Sequence, residues 1–568
     1  MQKIYQQEIP EGSAIVWLFA SKRLREQIAR VARQVKGERA EIQVKSAYKT
    51  LLCEVRERGL LDSEKQVTIY YPVVDGDEPL RFRLECYPLD SLYPDCDIQY
   101  QAEPQTAEKG VYYRLVFADG REEKIFTPVK WRDKANGQRE LCASAWVAYS
   151  DGHLEAIRSP YEDIYNEACN YLQNLPLTVC QQGLGSLVFD IELEGEDESL
   201  GIGHESLCLA EALHEDLYFS ALEIFQHRLG LSSGDRTLKP GQILPVVRYG
   251  QQNSLRIREG QWAEVEAISD CGIRLDLSNI DRPLSFAQIQ AEFNALNGEC
   301  FNANSQQGRP LFGAGFNTHL ARGLALSSGQ HANESSGVVG GLRAAQQLLK
   351  EGVLAFTYRP LGNPDGYAAF LKLCEISPRQ MHHAARYTAS GCDLAYGDVP
   401  ERVFADAARN KLPQALVHLN LHGYPAHEWT RPLSGYVPRN FSRWTIPKGF
   451  FLIMRYQPAY KAMAEEVLQA AIAAVMGYPE QVAMNKEMLS RYLGTVGSAD
   501  FPIANDVVPY SITEYPNQDY PIELITEAPD ETVQGDWFRI AQESHYRVVV
   551  AVAKWLGEAT PSEKITIK

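Results

Sequence analysis

The chain has 568 residues, 45% of them hydrophobic and 23% charged, with 41 glycines and 30 prolines. That is ordinary globular composition, long enough for several cored domains, and it excludes a disordered chain, a collagen-like repeat and a small disulfide scaffold. Lys and Arg total 56 against 73 Asp and Glu, a formal charge of −17, which disfavours nucleic acid and anionic membrane as general partners.

The apolar run at residues 14–20 has no basic region before it, and Lys22, Arg23 and Arg25 after it. That is the reverse of a signal peptide's order. No stretch approaches the ~18 uninterrupted apolar residues of a membrane span. The 11 cysteines are scattered, odd in number and without a CxxC pair, the pattern of reduced, buried thiols, so a cytoplasmic location is expected.

Residues 23–35 carry helical apolar spacing. Residues 66–73 (QVTIYYPV), 80–86 (LRFRLEC) and 110–117 (GVYYRLVF) alternate or are rich in aromatics, and are expected as strands between polar turns such as Asp75-Gly76-Asp77. Residues 1–180 are therefore expected to form an accessory α+β or β-rich domain, and they hold no catalytic constellation. Residues 181–290 contain a predicted helix at 206–229, a Gly/Ser/Pro-rich break at 232–241 and a strand at 242–247. They are assigned as a connecting region or part of either neighbour.

The texture changes for residues 291–560. An apolar run at 321–328 precedes a predicted helix at 336–351, and further apolar runs follow at 353–358, 415–421 and 450–456. A helix at 459–476, a strand at 521–528 and a last helix at about 537–556 complete the pattern. Alternating strands and long helices predict an α/β sheet covered on both faces, with ligands at the carboxyl ends of its strands.

The chemistry-bearing residues fall at those ends. In SSGQHANESSG, His331 follows an apolar strand and Glu334 is expected in the first turn of the next helix. An imidazole and a carboxylate three residues apart suit zinc, given a third ligand and an open position for water. By itself HxxE is weak, since an exposed His and a helix-capping Glu give the same letters. In Val417-His418-Leu419-Asn420-Leu421-His422-Gly423, strict alternation puts His418, Asn420 and His422 on one strand face, a costly burial unless a site uses it. His422, nearest the strand end, is the preferred third ligand; His418 reads as a deeper core or supporting histidine, and His427 as a looser alternative. A general base is sought in Ile522-Glu523-Leu524-Ile525-Thr526-Glu527-Ala528-Pro529. Glu523 and Glu527 share a face; Glu527 lies at the carboxyl end and is preferred.

Taken together, residues of about 290–560 resemble the carboxypeptidase A-like family of zinc metallopeptidases. The resemblance rests on the HxxE turn, on Asn363-Pro364-Asp365-Gly366-Tyr367 about thirty residues later, on Asn420-Leu421-His422-Gly423-Tyr424, and on Thr526-Glu527-Ala528-Pro529. It implies a mixed sheet of roughly eight strands flanked by helices, and Zn²⁺ held by His331, Glu334 and His422. It also implies Glu527 as the base that activates water against an amide carbonyl, and a peptide or peptide-like substrate. Two departures stand out. Asn333 precedes the ligand Glu where digestive members carry an Arg, and is a candidate for substrate binding. No Asn-Arg pair lies near Gly391-Cys392-Asp393 to grip a terminal carboxylate. Arg386, at the interval of the family's oxyanion-stabilising arginine, is the remaining cation for an oxyanion or carboxylate. Tyr510 and Tyr515 are the nearest phenols upstream of Glu527, and neither has the family's spacing. The competing readings are a zinc amidase or deacylase on N-acyl amino acids, of the desuccinylase and aspartoacylase kind, and a catalytically silent binding protein.

Overall fold

The computed structural model describes residues 14–36, 41–134, 137–183, 185–260, 262, 274–396, 398–435 and 445–558. Two compact units account for them. One comprises Met1–Gly260, His427–Ile446 and Ser490–Ser498; the other comprises Gln261–Ala426, Pro447–Leu489 and Ala499–Lys568.

In the first unit, a four-stranded sheet orders Leu154–Ala156, Trp146–Tyr149, Ala14–Leu18 and Ile42–Ser46, and a second orders Asp97–Gln105, Gln66–Val74, Val111–Phe117 and Glu122–Thr127. Alternation drives the second sheet: Val67, Ile69, Val111, Tyr113 and Leu115 point into one core with Leu52 and Val55. A three-stranded sheet of Gln242–Gly250, Ser186–Glu194 and Ser254–Glu259 accompanies the buried helix Leu209–Arg228. The strand expected at residues 80–86 is instead the short helix Arg81–Leu84. Its alternation is overridden by a buried guanidinium: Arg81 pairs with Glu85 one helical turn on at 2.9 Å and with Asp77 in the preceding bend at 3.4 Å, contacts an extended strand could not make.

The second unit is a mixed α/β fold around a nine-stranded sheet, slightly wider than the expected eight. Its order is Glu299–Asn304, Pro310–Phe316, Ala355–Arg359, Gly323–Ser328, Ala415–Pro425, Ile522–Glu531, Phe451–Tyr456, Val508–Glu514 and Ile503–Ala504. Gly323–Ser328, Ala415–Pro425 and Ile522–Glu531 are central, adjacent and parallel, so their carboxyl ends lie side by side. Helices Ser336–Glu351, Lys461–Met476 and Asp536–Glu558 pack together and against this sheet. Close approach needs small residues: a Cβ on Gly340 would meet the Gln542 carbonyl at 2.6 Å. Among the described residues no helix is long and apolar enough to cross a membrane.

Candidate metal centre

Each of the three central strands delivers part of one cluster. Gly323–Ser328 ends in a polar turn, as expected, and a helix follows. Glu334 N–H donates to the His331 carbonyl at 3.3 Å, and the helix begins only at Ser336. Glu334 is thus two residues short of the helix where the sequence placed it inside, because the side chain of Asp530 takes up the Ser336 N–H at 2.7 Å and sets the helix start there. The turn aims both side chains inward: His331 Nδ1 lies 2.8 Å from Glu334 Oε1.

Ala415–Pro425 continues its alternation through His422, whose Nδ1 lies 2.7 Å from Glu334 Oε2 and 3.1 Å from His331 Nδ1. Ser327 Oγ lies 2.8 Å from His418 Nε2, and His418 Nδ1 lies 3.2 Å from Glu523 Oε1, so His418 is held away from the cluster. Asn420 donates to Gln330 at 3.2 Å. His427 belongs to the other unit, where its Nε2 meets both Glu211 oxygens.

Whether a metal fits can be judged from the donors. Among the described residues His331, Glu334 and His422 are the one group of three whose ligand atoms all lie within 4.8 Å of one another, and all three are buried. Two imidazole Nδ1 atoms 3.1 Å apart cannot both direct a proton at each other. A tetrahedral centre with ligands at about 2.0–2.1 Å spaces neighbouring donors ~3.3 Å apart. Two imidazoles and one carboxylate, with room for a fourth partner, form the donor set of a catalytic zinc site. The residues fit the ion.

Charges around the cluster are tightly coupled. Burial opposes ionisation of Glu334, yet His331, Arg386 and His422 hold its carboxyl well below the usual range. Burial and the Arg386 charge disfavour a protonated His331, but Glu334 and Asp393 outweigh them and raise its pKa. Burial lowers that of His422 despite Glu334. Asp393 Oδ1 lies 3.7 Å from His331 Nε2, on the side of the ring away from Glu334.

Glu527 is the direct cross-strand partner of His422, so the two side chains leave the same face. Burial and the Glu334 charge push its carboxyl well above the usual range, Asp530 adds to this, and Arg386 and Lys448 oppose it. Glu523, four residues earlier, pairs with His418 and Arg455 and is driven down to about 2 against the effect of burial. Lys448 is buried, its Nζ 5.5 Å from the Tyr424 ring and 5.6 Å from the Phe451 ring; burial lowers its pKa to about 7, against the pull of Glu527 and Asp500.

Arg386 donates to Glu334 Oε1 at 2.7 Å and lies 3.8 Å from Glu531. The NPDGY block positions it. Asn363 caps helix Pro364–Ile376 by accepting the Gly366 N–H at 2.9 Å, and its amide donates to the Arg386 carbonyl at 3.3 Å. Asn333 is buried, and its amide donates to Glu531 at 2.6 Å. Sequence reasoning missed Asp393, Lys448, Asp530 and Glu531. Only the adjacent acids ending the Glu527 strand carried a signal, two consecutive carboxylates just after Pro529, where the sequence reading ends the strand.

No protein-family model and no curated protein matches this sequence. Solved structures similar to about half of the chain include metallo-carboxypeptidases. A metallo-carboxypeptidase from Burkholderia cenocepacia is 15% identical over 48% of this chain and 68% of its own, with a TM-score of 0.30. One from Pseudomonas aeruginosa, in complex with (2-guanidinoethylmercapto)succinic acid, is 13% identical over 48% and 69%, TM-score 0.31. Bovine thrombin-activatable fibrinolysis inhibitor, in complex with tick carboxypeptidase inhibitor, is 14% identical over 49% and 98%, TM-score 0.29.

Proposed function

We propose that the protein is a zinc-dependent hydrolase that cleaves a peptide or peptide-like amide bond, with His331, Glu334 and His422 as metal ligands. The convergence of those three buried donor atoms, with Glu527 on the adjoining strand, carries this reading. These three residues would hold a zinc ion, which would supply Lewis acidity for the amide carbonyl and for the attacking water. Glu527 takes the proton of the attacking water and delivers it to the amine as the C–N bond breaks. Its raised pKa suits both halves of that transfer, since a carboxyl tuned upward accepts a proton more readily and still releases it. Arg386, with its side chain 24% exposed, directs a guanidinium at the oxyanion or at a substrate carboxylate. Asn333, buried and with its amide nitrogen committed to Glu531, supports the turn between His331 and Glu334 rather than gripping substrate with that nitrogen.

The test is metal content and hydrolysis of the full-length protein. Wild type should carry one zinc per chain and cleave blocked dipeptides. Glu527→Gln should retain the zinc and lose at least ~10³-fold in kcat, within the range for a general base. Cleavage of N-acyl amino acids alone would move the substrate to the deacylase class, and undiminished turnover in Glu527→Gln would remove that residue from the base role.

A further inference from the structure

The strand carrying Glu527 ends in two consecutive carboxylates, Asp530 and Glu531, which are 3% and 2% exposed. In a regular strand neighbouring side chains point to opposite faces. Here the ladder slips. Tyr424 pairs with Pro529 and Pro425 with Glu531, leaving Asp530 as an extra residue without a cross-strand partner. Such a bulge re-aims side chains. Both carboxylates consequently reach the same short segment of the neighbouring element: Asp530 Oδ2 accepts the Ser336 N–H at 2.7 Å, and Glu531 Oε2 accepts the Asn333 amide at 2.6 Å. Asn333 lies between the two proposed ligands of the HxxE turn, and Ser336 opens the helix that follows it.

Two further contacts tie these acids to the rest of the cluster. Arg386 NH1 lies 3.8 Å from Glu531 and 2.7 Å from Glu334, so Glu531 shares the guanidinium that faces a proposed metal ligand. On the other side a Cβ on Gly423, the residue after His422, would fall 1.9 Å from Asp530 Oδ1. The carboxylate occupies the space a side chain would fill, which accounts for glycine there. Burying two adjacent acids is costly, and a fold that needed only a strand end would not require them.

We propose that Asp530 and Glu531 are positioning residues forming a clamp: the bulge lets the strand that bears the base hold the HxxE turn, Arg386 and the end of the His422 strand in one arrangement. Asp530 fixes the turn from its helix side and the His422 strand through Gly423. Glu531 fixes Asn333 and Arg386. This rests on the reading of His331, Glu334 and His422 as metal ligands.

The experiment compares full-length wild type with Glu531→Gln, Asp530→Asn and Gly423→Ala, and with Gln542→Ala as a control. Gln542 is a buried residue bonded to the carbonyls of Leu277, Ser278 and Ile280. Zn²⁺ affinity is measured by competition with a chromophoric chelator, the d–d spectrum is recorded after Co²⁺ loading, and Tm is taken by calorimetry. Loss of an outer partner of a metal site weakens binding about 10–100-fold. Glu531→Gln and Asp530→Asn should fall in that range and shift the cobalt bands, with Gly423→Ala resembling Asp530→Asn. Gln542→Ala should lower Tm and leave both metal readouts unchanged. Glu531→Gln preserves side-chain volume and decides the matter should Asp530→Asn fail to fold. Zinc binding within twofold of wild type and an unaltered cobalt spectrum in Glu531→Gln would overturn the clamp while leaving the metal site standing. A wild type that takes up no stoichiometric zinc would overturn the ligand reading, and the clamp with it.

Discussion

His422 and His427 are five residues apart, both are buried and both touch a glutamate, yet they belong to different units and different chemistry. His427 Nε2 meets the two oxygens of Glu211 at 2.8 and 2.9 Å. One imidazole against one carboxylate is satisfied by a proton: burial works against the charge, but Glu211, Glu205 and Asp197 raise the pKa of His427 to about 9. His422 faces a carboxylate that already answers to His331 and Arg386, and its own pKa falls. Here three donor atoms from three separate residues converge on one point. The contrast separates a buried ion pair from the proposed ligand set, a distinction that a histidine near a glutamate in sequence does not draw.

The largest expected effect breaks the comparison from the His422 side. His422→Ala should lose zinc by more than the roughly 10–100-fold typical of an outer-partner loss, whereas His427→Gln should bind zinc like wild type; equal losses measured by chelator competition would erase the distinction. From the other side, removing one partner of a buried pair destabilises by about 3–5 kcal/mol. Glu211→Gln should therefore lower the stability of the first unit in denaturant titration, with zinc content untouched.

Smaller effects sharpen the contrast through pH. The folded pKa of His427 is raised from 6.5 to about 9, so its contribution is complete below pH 6.5 and is lost as pH rises through 9, on the order of 3 kcal/mol in total. Thermal scans of wild type should show this decline across that window, and His427→Gln should flatten it. Glu523 runs in the opposite sense. Its folded pKa is depressed from 4.5 to about 2, so the His418–Glu523 contribution is present above pH 4.5 and is lost as pH falls towards 2. An acid titration of Glu523→Gln should lack that component.

Several of these residues were legible in advance for local reasons. Strict alternation over residues 417–422 holds through His422 because that stretch of the strand is buried and period two governs it. The HxxE turn was legible as letters, while its placement was not, because the helix start is set by Asp530, nearly two hundred residues away. Asp530 and Glu531 escaped for a related reason: alternation puts them on opposite faces, and only the bulge turns both to one side. Asp393 stands in a loop without periodicity, so nothing local linked it to His331. Residues 80–86 misled because alternating apolar letters were obeyed less than a buried arginine seeking two acids. The assignment of His427–Ile446 and Ser490–Ser498 to the first unit rests on contacts distant in sequence, which composition does not encode.

The most direct test of the metal reading is anomalous diffraction at the zinc edge from crystals of the full-length protein supplied with Zn²⁺. One strong peak about 2.0–2.1 Å from both His331 Nδ1 and His422 Nδ1 and bonded to Glu334 is the predicted result. A peak anywhere else, or a clean map with His331, Glu334 and His422 in hydrogen-bonded contact under saturating zinc, would contradict it.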